Sequence, residues 1–469
     1  MNKTLHDFLR AHASGSPVSF HMPGHKGSAV YRQLGYDDFL DNMVDWDITE
    51  IPGADNLFQT EGVIASVMDR YCSLYGSRAS YLLINGSSCG LIAAIMSCVP
   101  RGGRLIMARN CHKSVFNGLP LAGVEPVYAY PEMIEAYGIT GEISVDEIRR
   151  CLDAAPDASA VLLPSPNYYG ICSDIGAIAE LVHSRGKILI VDQAHGAHLK
   201  FFDEYCGGLK LAAENLGADI VIDSTHKTLA SFTQSAVANV FGTRVNLFDF
   251  EDALQKIEST SPSYLLMASL DINADILEKH GRQLIADWRH DLDWFYKAAS
   301  RIEGLRVMNH SLLDDSKLNL DMRHYGLDGL ALEKKLMARN IYPELVTGNI
   351  VMCMTGIGNR RCDYEALIGA LSEIASEGHL LDSVEAAPAP WSFKDLKQHP
   401  VPAVRKKSQL NDAAGKICAA SIIPYPPGIP IICPGEELDQ EIIDYVSDLR
   451  ARGENVMGVD SDGSITVGA

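Results

Sequence analysis

At 469 residues, the chain has room for two or three domains, each with its own apolar core. Hydrophobic residues make up 47% and charged residues 21%, and no apolar run reaches the roughly 20 residues needed to span a bilayer. A formal charge of −20 argues against nucleic acid, whose binding surfaces need clustered lysine and arginine, and suits cationic ligands.

The opening residues, Met1 to Asp7, carry neither a signal-peptide core nor a transit-like composition, so a cytosolic protein is expected. Eleven dispersed cysteines, with no Cys-x-x-Cys pair, imply reduced thiols rather than a zinc site or a disulfide framework. From about residue 56 to 245, short apolar runs alternate with amphipathic segments. Strands are predicted at 81–84, 105–108, 126–129, 161–163, 188–191, 220–222 and 237–241, with helices at 90–98, 145–154 and 175–185. This alternation predicts an α/β large domain with a mostly parallel, seven-stranded sheet covered on both faces. Apolar positions three and four apart predict one or two helices over 264–300, and a smaller α+β unit follows from about 301. Its predicted elements are strands at 305–308 and 318–322 and a helix at 364–374. Four prolines (Pro388, Pro390, Pro400, Pro402) make 385–404 a linker, and Pro424 to Pro430 is too rigid for a loose tail. The expected divisions are 1–55, 56–300, 301–390 and 391–469.

Ligands of parallel sheets bind at the carboxyl ends of strands, and five predicted strand ends deliver polar residues. Ser87 and Ser88 follow the first, His112 the second, Asn167 and Tyr168 the fourth, Asp192 the fifth and Lys227 the sixth. Lys227 is expected on a loop leaving a buried strand, where desolvation would free its amine as a nucleophile. Asp192 is a carboxylate suited to a pyridinium nitrogen, and the small Ala194 would fit beneath a flat ring. The loop Asn85 to Gly90, with Ser87, Ser88 and Cys89 before a helix, suits a phosphate, as do the hydroxyl of Ser224 and the imidazole of His226. His112 would stack on a ring or donate a proton. His195 and His198, three apart with one nearby acid, are a poor metal signature, and no metal is expected.

In their order, these motifs resemble the fold-type-I, aspartate-aminotransferase-like pyridoxal-phosphate decarboxylases of ornithine, lysine and arginine. The resemblance rests on Phe20 to Gly27 and on Asp47 to Gly62. It continues through Asn85 to Gly90, His112 to Ser114, Pro166 to Gly170, Asp192 to His198, Ser224 to Lys227, and Pro424 to Glu436. Gln193 departs from the acid expected after the ring-nitrogen aspartate.

The resemblance implies pyridoxal 5'-phosphate bound covalently by Lys227, with Asp192 on the ring nitrogen and His112 stacked opposite Ala194. Ser87, Ser88, Cys89, Ser224 and His226 would hold the phosphate, helped across a dimer by Ser261 or Ser263. His195 would act beside Lys227. It further implies a carboxy-lyase for a basic amino acid, arginine to agmatine first, with lysine or ornithine open, feeding polyamine synthesis. Glu436 and Asp55 are the expected acids for the far end of the substrate, with Asp47 and Glu50 behind them. A homodimer or dimer of dimers with shared sites is expected rather than a large ring. Two alternatives stand beside this reading: an aminotransferase using Arg360 or Arg361 for the substrate carboxylate, and a non-catalytic relative.

Overall fold

The computed structural model describes residues 4–384, 396–424 and 428–469. All seven predicted strands pair in one sheet: β1 (Ala79–Leu83), β2 (Arg104–Ala108), β3 (Glu125–Ala129), β4 (Ala160–Pro164), β5 (Ile188–Asp192), β6 (Ile220–Asp223) and β7 (Ala236–Val240). Their order is β1-β7-β6-β5-β4-β2-β3, with β7 alone antiparallel to its neighbours. The central runs Ile188 to Val191 and Ile220 to Ile222 are apolar at every position because helices cover both faces. β2, β4, β5 and β6 therefore run parallel and open their carboxyl ends on the same edge.

A single unbroken helix of 36 residues, Tyr264–Ala299, occupies the region predicted as one or two. Ser263 caps it, and Met267, Leu270, Ala274, Leu277, Ile285, Trp288, Leu292 and Phe295 form its buried stripe. That stripe joins the large sheet to a four-stranded sheet built from Arg306–Val307, Lys317–Asp321, Ile350–Met354 and Leu345–Thr347. The predicted helix at 364–374 extends over Arg361–Glu377. Residues 396–424 and 428–469 add a separate small core around Leu438, Ile442, Val446 and Ile465. The 390/391 division, and Tyr425 to Pro427 of the proline-rich run, lie outside the described residues.

The N-terminal segment does not stand apart. Val18–Phe20 pairs in parallel with Ile341–Pro343, and the Gly24 N–H donates to the His226 carbonyl at 2.7 Å. A Cβ on Gly24 would lie 2.4 Å from the backbone carbon of Thr228, so the signature Phe20 to Gly27 is wedged against the Lys227 turn. Gly24→Ala is therefore expected to cost roughly 1–3 kcal/mol by overpacking and to lower kcat, read by thermal melting and by turnover.

Candidate active site

The site forms where β2, β4, β5 and β6 end. Lys227 stands in a one-turn helix, Thr225–Thr228, directly after β6, rather than on the predicted loop. Its Nζ lies 2.9 Å from Nε2 of His195. Burial pushes the Lys227 amine below its ordinary range, while Asp192 and Glu344 pull it back up and Lys317 adds to the lowering. Burial raises the Asp192 carboxyl, against the pull of Lys227 and of the Ala194 N–H, which donates to it at 3.1 Å.

Three imidazoles surround the amine in their neutral forms. Burial, followed by the charges of Lys227 and Lys113, holds His112 at about 3. Its Nδ1 lies 2.8 Å from Oγ of Ser114. Burial and Lys227 hold His226 at about 4, and its Nδ1 lies 2.7 Å from the Ser235 carbonyl. His195 is driven well below the usual range by burial, Lys227 and Lys317. Its ring packs 4.5 Å from that of Tyr168.

Two cavities share Ser87, His112, Tyr168, His195 and Lys227 and form one cleft. The inner part adds Asp192, Ala194 and Asn110, and the outer part adds Ser88, His226 and Glu344. The predicted helix at 90–98 begins at Gly86, which places Ser87 and Ser88 in its first turn, and Asn85 gives it no side-chain cap. The leading N–H groups are thus left for an anion. Ser224 Oγ, His195 Nδ1 and Asn110 Oδ1 are buried without hydrogen-bond partners. Unsatisfied groups of this kind, beside a buried amine and a buried carboxyl, fit a flat polar ring carrying a phosphate.

Other expected residues have different surroundings. Cys89 is buried with its sulfur 2.8 Å from Oε1 of Glu258 and 2.9 Å from the Gly86 carbonyl, so it braces the loop from behind. Asp55 organises a turn, accepting N–H groups of Asn56, Glu61, Gly62 and Ile64 at 2.9–3.0 Å. Burial alone would raise its carboxyl, but the Glu61, Asn56 and Gly62 donors hold it at about 2. Glu436 is fully buried, 3.1 Å from Arg109, and ties the C-terminal residues to the end of β2. None of the three lines the cleft, and Asp47 and Glu50 are exposed. Ser261 is exposed and Ser263 is the helix cap. His198 joins Asp314 and Ser316 at 3.1 Å in a buried network.

Glu344 was not foreseen. It reaches the cleft from the small unit, and its Oε2 accepts the Met22 N–H at 2.8 Å. Asn110 was also missed, although its place two residues before His112 at the end of β2 is a strand-end signal. Gln193 has a local reason. Its amide donates to Glu214 at 2.7 Å and Asp223 at 3.0 Å, two carboxyls that burial pushes up. A third carboxyl there would add like charge to a dry site.

A strand-end lysine, a buried aspartate and an uncapped helix N-terminus on a parallel sheet define a fold-type-I pyridoxal-phosphate enzyme. Residues 3–320 match the model of the Orn/Lys/Arg decarboxylase major domain, and residues 392–463 match that of its C-terminal domain. The chain belongs to this family of carboxy-lyases. It is 32% identical to an arginine decarboxylase of Bacillus subtilis, over 94% of this chain and 92% of that protein. It is 31% identical to one of Halalkalibacterium halodurans, over 96% and 94%. The fold superposes on lysine decarboxylase A from Pseudomonas aeruginosa with a TM-score of 0.79 and 21% identity, covering 98% of this chain and 80% of that one.

Proposed function

We propose that the chain releases CO2 from arginine to give agmatine, with lysine or ornithine as the second reading and polyamine synthesis as the setting. The observation carrying this is the composition of the cleft, which sets Glu344 on the same cavity as Lys227 with no arginine among the lining residues. A carboxylate suits the cationic end of a basic substrate. An aminotransferase holds its substrate carboxylate, and the two arginines weighed for that task stand elsewhere. Arg361 pairs with Asp291 at 2.8 Å and stacks on Trp294, and Arg360 is exposed at a helix start.

Bound pyridoxal phosphate supplies an electron-withdrawing ring conjugated to the substrate α-carbon. Lys227, as a neutral amine, would be the residue that holds its aldehyde carbon. Asp192 would hold a proton on the ring nitrogen, and His112 and Ala194 would offer the ring a flat and a small surface. Ser87, Ser88, Ser224 and His226 would hold the phosphate. Lys227 Nζ or His195 would return a proton to the α-carbon.

The deciding experiment is a panel of arginine, lysine and ornithine, assayed for CO2 and for keto acid. Arginine is expected to release CO2 fastest with no keto acid formed, and silence on all three would overturn the reading. Glu344→Gln is expected to lower kcat/KM for arginine by about 10- to 100-fold, chiefly through KM, as one charged hydrogen bond is lost.

A homodimer in the cytosol completes the proposal. No helix among the described residues is long and apolar enough to cross a membrane. Val44, Trp46, Ile48, Ile51 and Val63 expose apolar side chains along one stretch, a surface suited to a second copy. Sedimentation would report the assembly.

A further inference from the structure

Behind the cleft lies an ion cluster to which no step of the chemistry above assigns a role. Lys317 and Asp314 have fully buried side chains 2.7 Å apart. Asp314 also binds His198 and the Ser316 N–H, both at 3.1 Å. Lys317 gives its remaining hydrogens to Ser316 Oγ at 3.1 Å and to the His195 carbonyl at 2.8 Å. The three ammonium donors are thereby used, and one of them crosses from the small unit to the loop that follows Asp192 and carries His195. Gly170 leaves room for this crossing, since a Cβ there would lie 2.9 Å from Cγ of Lys317.

A dry ion pair is a poor choice for stability alone, because apolar residues of similar volume do as well or better. Its third bond suggests another use. We propose that Lys317 is a positioning residue, which, by holding the His195 carbonyl at 2.8 Å, fixes the His195 imidazole against the Lys227 amine 2.9 Å away. The proposal rests on Lys227 as the cofactor-binding lysine.

The groups acting on Lys227 are few. Asp192 and Glu344 favour its charged form, Lys317, itself paired with the ionised Asp314, opposes it, and His112, His195 and His226 are neutral. Removing the Lys317 charge therefore lets Lys227 keep its proton to higher pH. Loss of the 2.8 Å bond also frees the His195 backbone.

The test is the rate at which full-length chain, cleared of cofactor, captures added pyridoxal phosphate between pH 6 and 10. Lys317→Met is expected to move the midpoint of that profile up by about half a unit or more. In the loaded enzyme it should lower kcat for arginine about 10-fold with KM within about threefold. Lys317→Arg, which keeps charge and donors, should return the midpoint towards wild type. Lys317→Met/Asp314→Asn removes both charges of the pair and serves if the single variant melts too low to use; its midpoint should lie nearer wild type, while kcat stays about 10-fold down because the His195 carbonyl has lost its donor. Midpoints and kcat within twofold of wild type, or an Arg variant no better than Met, would overturn the proposal. Lys227→Ala is the control that separates the two readings. If it captures cofactor as wild type does, Lys227 is the failed assignment; if it does not and Lys317→Met is unchanged, Lys317 is.

Discussion

Lys227→Ala is expected to abolish CO2 release, by about 10^3-fold or more, the scale on which a covalent catalytic group is lost. It should also remove the long-wavelength absorbance of a covalently held cofactor. Lys227→Arg should rescue neither, because a guanidinium keeps its charge at any working pH and is no nucleophile. The physical basis is a balance visible in the site. Burial and Lys317 lower the amine, while Asp192 and Glu344 raise it. The neutral imidazoles of His112, His195 and His226 add no further charge. A Lys227→Ala protein that still released CO2 at a tenth of the wild-type rate would remove Lys227 from the chemistry. Folding is checked by the same melting curve as wild type, since among the described residues Lys227 Nζ makes one hydrogen bond, to His195.

The parts of this site that read directly from the sequence are those whose signal is local. A buried parallel strand is a run such as Ile188 to Val191, and the residue after it stands at the sheet edge whatever else the chain does. Asp192, Lys227, His112, Ser87 and Ser88 were legible for that reason. Lys317 and Glu344 were not, because their importance comes from strands of the small unit that fold back onto the cleft. An acid at 344 or a lysine at 317 looks like any surface charge until that packing is known. The same blindness acted in reverse on Asp55, Glu436 and Cys89. Each lies in or beside a motif of the right composition, yet each carboxylate or thiol meets partners that only the fold supplies. Helix extent failed for a smaller reason, since Ser87 and Ser88 read as loop but propagate the helix from Gly86.

Glu436 gives the second large effect, and one that separates docking from substrate binding. Its carboxylate accepts Arg109 at 3.1 Å, the Cys433 N–H at 2.6 Å and the Gln398 amide at 3.2 Å. Arg109 also donates to the carbonyls of Pro430 and Ile431 at 2.6 and 3.0 Å, and its guanidinium sits 5.2 Å from the Tyr128 ring. Glu436→Ala takes a buried carboxylate away from that buried guanidinium, a change that costs about 3–5 kcal/mol. The expected result is a large fall in denaturant midpoint and early proteolytic release of the residues beyond 396. Arg109→Met/Glu436→Leu, which removes the two charges together, should recover part of the loss. Because Arg109 directly precedes Asn110 and lies three residues before His112, kcat should fall as the C-terminal residues loosen, while KM for arginine in the folded fraction stays within about twofold. A Glu436→Ala protein of normal stability whose KM for arginine rose tenfold would instead return Glu436 to the substrate.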